Sequence, residues 1–272
     1  MKIACLQTHP KPTIETALEE ALDLANKAVK NKAEFIFLPE YCGGIVSNGS
    51  LYYPPSDNER NHIFLNEFKK YCKHNKIFLL IGSIAIKSKS NKILNRGYII
   101  DSNGKIISKY DKIHMFDIFL DNETHKESDT VKNGNKAVLV KTKYAVIGHT
   151  ICYDIRFPQL YRKLSQAGAE MLVVPAAFTK VTGKEHWHVL NRARAIENIS
   201  FVVSPCSIGQ IKGGGQCYGH SLIINPWGKI LKDGGNKRGI ITAEIDIRLT
   251  KTLRKKLPSL KHDKNIQLKI YK

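Results

Sequence analysis

The chain is expected to fold as mixed α/β with at least two sheets. Three features point there: short apolar runs alternate with stretches of helical periodicity, turn-forming residues separate pairs of short strands, and no Pro-, Gly- and Ser-rich stretch is long enough to link two domains. One domain over residues 1–272 is the simplest organisation.

Residues 2–7 read as a strand. Ile14, Ala17, Leu18, Ala21, Leu22, Ala25, Ala28 and Val29 then recur at helical spacing, with Pro12 and Thr13 suited to the first turn. Residues 35–38 form a short buried strand that stops at Pro39-Glu40. A second helix over 57–74 and a strand over 77–81 complete two strand-helix-strand units. Residues 98–101 and 105–109 flank Ser102-Asn103-Gly104, a turn signal that predicts a hairpin. Beyond a polar stretch from Asp121 to Gly134, residues 137–140 and 145–151 pair as strands, and a helix runs from about Phe157 to a Gly168 cap. A strand over 171–174, a helix near 185–198 and a strand over 201–204 repeat the pattern. Hairpin-like strands at 221–225 and 230–232 and a strand at 240–245 follow.

Forty-three Lys plus Arg against 24 Asp plus Glu give a net charge of +19, the electrostatic footprint of a nucleic-acid binder. The excess is mostly Lys, scattered as singles and pairs from Lys2 to Lys272, with no long block and no aromatic-interleaved basic stripe. Solvated surface is therefore expected, and no nucleic-acid partner. No apolar run approaches the roughly 20 residues that cross a bilayer, and MKIACLQTHP enters a strand instead of a signal peptide's order, so no membrane partner and no export are expected. Cys5, Cys42, Cys72, Cys152, Cys206 and Cys217 form no CxxC and no Cys/His metal spacing, which fits reduced thiols in a cytoplasm and no metal.

Local context distinguishes Cys152. It follows the buried run AVIGHTI and precedes a helix with Pro158 in its first turn, and a helix N-terminus favours the nucleophilic thiolate. Position alone leaves it open between a nucleophile and a buried core cysteine. His149, His186 and His188 are available as partners, yet none sits in a local signature that recruits it. Glu40 closes FIFLPE where a buried strand emerges at a sheet end, a common position for α/β sites; a loop carboxylate paired with an Arg is the alternative. Lys112 lies in KYDKIHMFD just past a strand.

The segments FIFLPEY, KYDKIHMFD and GHTICYDIRFPQLYRKLSQAGAEMLVVPAAF resemble, in spacing and order, the three catalytic blocks of the nitrilase superfamily, the carbon-nitrogen hydrolases. TGKEHWHVLNRARAIEN, YGHSLIINPWG and LPSLKHD extend the resemblance over nearly the whole chain. The resemblance implies a four-layer αββα sandwich of two mixed sheets, and a catalytic triad of Glu40, Lys112 and Cys152. Glu40 then acts as general base and acid, Cys152 as nucleophile through a thioester, and Lys112 with the backbone N–H of Tyr153 as oxyanion donors. Glu127 in HKESD maps onto a second active-site Glu, although Thr124-His125-Lys126 before it departs from the family's aromatic or Arg-rich pattern. Tyr41, Arg156, Phe178 and Thr182 resemble substrate-binding positions, with Arg156 suited to a substrate carboxylate.

Within the superfamily the chain is most similar to small amidases acting on deaminated glutathione and on ω-amides of keto acids. The resemblance therefore implies a cofactor-independent amidase on a small carboxylate-bearing amide with ammonia release, most nearly deaminated glutathione. An ω-amidase on 2-oxoglutaramate or 2-oxosuccinamate is the alternative, and a non-catalytic basic binding or scaffold protein the alternative from another class. It also implies a homodimer or higher even oligomer, with the tail from about residue 250 to Lys272 reaching a partner. Trp187 and Trp227 are expected to pack a helix and a turn, Arg192, Arg194 and Glu197 to form a charge network, and Gly213-Gly214-Gly215 to be a flexible rim loop.

Overall fold

Alternating burial sorts the strands into layers. In the computed structural model, which describes residues 1–120 and 123–271, the first strand β1 (Lys2–Gln7) sends Ile3 and Cys5 to one apolar cluster and Ala4 and Leu6 to another. Asp121 and Asn122, in the expected polar stretch, and Lys272, at the tip of the expected tail, lie outside the described residues.

The first sheet holds β1, β2 (Phe35–Phe37), β3 (Ser56–Asp57), β4 (Phe78–Lys87), β5 (Ile93–Ile100) and β6 (Ile106–Asp111). Strands β1, β2 and β4 are parallel neighbours; β5 and β6 extend the sheet antiparallel, and β3 pairs with the far end of β4. A small pair, β7 (Asp117–Leu120) and β8 (Glu123–Lys126), precedes the second sheet. That sheet begins with β9 (Val138–Lys141), β10 (Val146–His149), β11 (Met171–Val173) and β12 (Phe201–Ser204). Strands β10, β11 and β12 run parallel, and β9 lies antiparallel on the β10 edge. After a hairpin of β13 (Ile208–Gln210) and β14 (Gln216–Tyr218), β15 (Leu222–Ile224) and β16 (Ile230–Asp233) complete the second sheet. The last strand, β17 (Gly239–Glu244), returns to pair antiparallel with β1.

Phe35, Phe37, Phe78 and Leu80 of the first sheet meet Ile147, Met171, Val173, Phe201 and Val203 of the second, so the two sheets pack face to face. The outer face of the first sheet carries α1 (Ile14–Lys30) and α2 (Ile63–Asn75) through Ala21, Leu24, Phe64 and Phe68. The outer face of the second carries α4 (Pro158–Gln166) and α5 (Lys180–Asn198) through Tyr161, Leu164 and Trp187, while α3 (Glu127–Thr130) is a single turn at the strand ends. The result is an αββα sandwich with two mixed sheets. A further helix, α6 (Arg248–Lys256), follows β17, and its Arg254 donates to the backbone carbonyls of Ala169, Asn198 and Ile199.

Four expectations are corrected. The second helix starts at Ile63, not near 57, because Ser56 and Asp57 pair with β4 and Glu59 is drawn to Arg96 and Lys109. Strand β4 continues past Ile81 through an irregularity at Gly82-Ser83, which read as a strand end. Trp227 is 65% exposed instead of packed. The glycines 213–215 form the turn of the β13–β14 hairpin, seated on Ser47 so closely that a Cβ on Gly213 would overlap the Ser47 carbonyl oxygen.

Candidate active site

Glu40, Lys112 and Cys152 each stand just past a strand. Glu40 follows β2, where Pro39 removes a backbone donor and ends the pairing. The turn it sits on is clamped by Ser83, whose Oγ accepts from Tyr41 N (2.9 Å) and whose backbone oxygen accepts from Cys42 N (3.0 Å). Gly82 makes this approach possible, since a Cβ there would run into the carbonyl oxygens of Leu38 and Pro39 and into Pro175. Lys112 follows β6 and is fixed at its backbone by Asn95 O (3.0 Å) and Gly134 N (2.7 Å).

Cys152 opens a 3₁₀ turn, Cys152–Arg156, that separates β10 from α4, so the thiol is not at the start of α4 as expected. Its φ of +46°, like the +49° of Tyr41, is a left-handed conformation that costs a non-glycine residue about 1–3 kcal/mol and needs surrounding structure to hold it. That structure is Asp154. Fully buried, it accepts from Ile151 N (2.8 Å), Tyr110 Oη (2.7 Å) and His114 N (3.1 Å), with His114 Nδ1 at 2.7 Å. The Cys152 N–H donates to Pro175 O (2.9 Å), whereas the N–H of Tyr153, one residue into the turn, has no acceptor within it by the geometry of helix starts.

Lys112 Nζ donates to Glu40 Oε1 and to Glu127 Oε2, each at 2.8 Å, and all three side chains are buried. Burial alone would pull the Lys112 pKa down, but the charges of Glu127 and Glu40, with Cys152 beside them, hold it well above the ordinary lysine value. Glu127 accepts from Tyr41 Oη (3.0 Å) and Asn95 Nδ2 (3.2 Å) on Oε1, and from Lys112 and Phe116 N (2.7 Å) on Oε2. Both its oxygens are filled. Glu40 accepts from Lys112 and Asn95 Nδ2 (2.9 Å) on Oε1, and on Oε2 from Ala177 N (3.0 Å), and it lines the same cavity as Cys152. Burial and the Glu40 charge push the Cys152 thiol well above its ordinary pKa despite Lys112, so it rests as the neutral thiol. The expected thiolate-favouring effect of a helix N-terminus is therefore overridden here.

These groups face a small pocket whose wall includes Tyr41, Tyr52, Phe116, Tyr153, Phe178 and Thr182 beside Glu40, Lys112, Glu127 and Cys152. Arg156 is the expected contact that does not line it: its guanidinium lies over the rings of Tyr153 and Phe178, 5.6 and 5.7 Å from their centres, with Nη2 3.2 Å from His186 Nδ1. Trp187 backs the wall against Phe178, ring centres 4.9 Å apart. Arg194 pairs with Glu197 at 2.8 Å and also holds Ile155 O, while Arg192 binds Gly228 O instead of joining them. Sequence reasoning missed Asn95 and Asp154. A polar residue inside the apolar strand run ILNRGYII was the available signal for Asn95, and a carboxylate two residues past a candidate nucleophile was the signal for Asp154.

The sequence profile of the carbon-nitrogen hydrolase family matches residues 2–255. A deaminated glutathione amidase from Synechocystis is 37% identical over 265 residues, covering 95% of this chain and 96% of its own. An omega-amidase from Bos taurus is 31% identical over 264 residues, covering 94% and 92%. Among solved structures, Saccharomyces cerevisiae Nit3, a member of branch 10 of the nitrilase superfamily, superposes with a TM-score of 0.82 at 30% identity, covering 95% of this chain and 94% of its own.

Proposed function

The chain belongs to the carbon-nitrogen hydrolase family and is an amidase, and from that premise we propose that it cleaves a small carboxylate-bearing amide, foremost deaminated glutathione, through a thioester on Cys152. The observation that carries this reading is the buried Lys112 held between Glu40 and Glu127, with Cys152 on the wall of the same cavity. Glu40 takes the thiol proton as sulfur attacks the amide carbon, and gives it to the departing nitrogen as the C–N bond breaks. Two protons of Lys112 Nζ are committed to the carboxylates, and the third, with the Tyr153 N–H, stabilises the oxyanion. Water then loses a proton to Glu40, its oxygen bonds the acyl carbon, the C–S bond breaks and the proton returns to sulfur. Because Glu127 has no oxygen to spare, it orients Lys112 and moves no proton. These steps use the chain's own side chains, one backbone N–H and water.

Deaminated glutathione and 2-oxoglutaramate carry the same 2-oxoglutaryl group, so either gives one thioester. They differ in the amine that leaves: cysteinylglycine from the first, which corrects the expected ammonia release for that substrate because its amide nitrogen is the cysteine nitrogen, and ammonia from the second. An ω-amidase on 2-oxoglutaramate or the shorter 2-oxosuccinamate is thus the second reading, favoured by the bovine relative. Parallel measurement of cysteinylglycine and ammonia release from these substrates, beside Cys152→Ala, separates the two. We also propose that residues 1–272 act as one catalytic domain within a cytoplasmic homodimer. Val181, Val189 and Ile196 are 63, 66 and 48% exposed along one face of α5, and Ile266, Leu268 and Ile270 alternate in an exposed tail, which suits a second copy. No described helix is long and apolar enough to cross a membrane.

A further inference from the structure

Outside the cavity, three metal-ligating side chains from separate elements converge. His188 lies on α5, His220 between β14 and β15, and Asp233 at the end of β16. A single oxygen, Asp233 Oδ2, is 3.0 Å from His188 Nε2 and 3.2 Å from His220 Nδ1, and one donor atom from each residue falls within 4.8 Å of the others. A tetrahedral ion with ligands roughly 2.0–2.1 Å away holds them about 3.3 Å apart, so the two sides that meet at Asp233 Oδ2 need to open by only a few tenths of an ångström, and the side between the two imidazole nitrogens settles near the same length from within its 4.8 Å bound.

The second layer is already built. The other carboxylate oxygen of Asp233, Oδ1, accepts from Gly235 N (2.8 Å) and lies 2.9 Å from His220 Nδ1, and His220 N donates to Gly235 O (2.8 Å). The His220 carbonyl accepts from Trp187 Nε1 (2.7 Å), and the Tyr218 ring stacks on the His220 imidazole with centres 4.6 Å apart. His220 itself has a φ of +52°, a left-handed conformation that these contacts hold. Partial exposure of all three side chains leaves room for water to complete the coordination. Such outer contacts orient ligands in metal sites.

We propose that His188, His220 and Asp233 bind a divalent transition-metal ion, Zn²⁺ by their two-nitrogen, one-oxygen chemistry. The ion ties α5 to the rim of the second sheet. Trp187, the neighbour of His188, packs on Phe178 of the cavity wall, so the bound ion stiffens that wall without touching the reacting atoms.

The test is calorimetric titration of chelator-treated full-length protein with ZnCl₂, repeated on His188→Ala and Asp233→Asn, with Co²⁺ absorption and thermal melts alongside. One equivalent should bind, each substitution should weaken it more than about tenfold, Zn²⁺ should raise the wild-type melting temperature, and the Co²⁺ spectrum should lack thiolate charge transfer. Both variants change partly exposed side chains, and their melts without metal report whether they fold. Absence of stoichiometric binding, wild-type affinity in either folded variant, or a thiolate band would overturn the site and leave a histidine pair sharing one carboxylate.

Discussion

Glu40 and Glu127 sit on the same lysine, and what separates them is the number of donors each already accepts. Glu40→Gln should therefore lower kcat by about 10²–10⁴ and abolish the acylation burst. Glu127→Gln should cost roughly tenfold to a hundredfold through misplacement and keep a slower burst. Stopped-flow acylation distinguishes them, and equal loss of the burst in both would contradict the assignment. With burial and Glu40 raising the Cys152 pKa, the thiol should show no ultraviolet thiolate absorbance at neutral pH, seen as a flat wild-type minus Cys152→Ser difference spectrum. Asp154 holds the Cys152 turn through four donor groups, and Asp154→Ala should reduce kcat by about a hundredfold with KM little changed. A shift confined to KM would place it with substrate binding instead.

At the scale of elements, what the sequence disclosed followed strong periodicity. Strands β1 and β12 and most of α1 were legible because alternating or helical apolar patterns have only one way to face a core on each side. The start of α5 was not, because Lys180-Val181-Thr182-Gly183 carries no apolar stripe; Gly183 is there to let the helix lie against Tyr218. Asn95 was hidden for a different reason: its meaning depends on two carboxylates 55 and 32 residues away. Glu40, Lys112 and Cys152 were legible mainly through the family resemblance of their segments, since each alone had an ordinary reading. Gly82 ties element to site, and Gly82→Ala should destabilise the fold by about 1–3 kcal/mol and displace the Glu40 turn, lowering both Tm and kcat. An unchanged kcat in a destabilised variant would show that the turn does not depend on this contact.

For the whole molecule, acid stability and assembly are the properties at stake. Burial lowers His149 from 6.5 to about 3, so between these values the unfolded chain takes a proton that the folded one refuses, and stability falls as pH drops from about 6.5 towards 3. His149→Leu should flatten the fall of Tm over that window; an unchanged profile would assign acid lability elsewhere. If the proposed dimer forms, the wild type should scatter as a dimer and Val189→Glu, or removal of residues 265–272, should convert it to a monomer. A monomeric wild type would overturn the dimer, and a wild-type dimer unshifted in both would place its interface on another face. The central claim is the Cys152 thioester, and it is tested most directly by intact mass spectrometry of enzyme quenched in acid during turnover of deaminated glutathione and, separately, 2-oxoglutaramate. The account predicts one identical 2-oxoglutaryl adduct on the peptide holding Cys152 from both substrates, absent in Cys152→Ala. Turnover without any adduct on Cys152, or turnover that survives in Cys152→Ala, would contradict it.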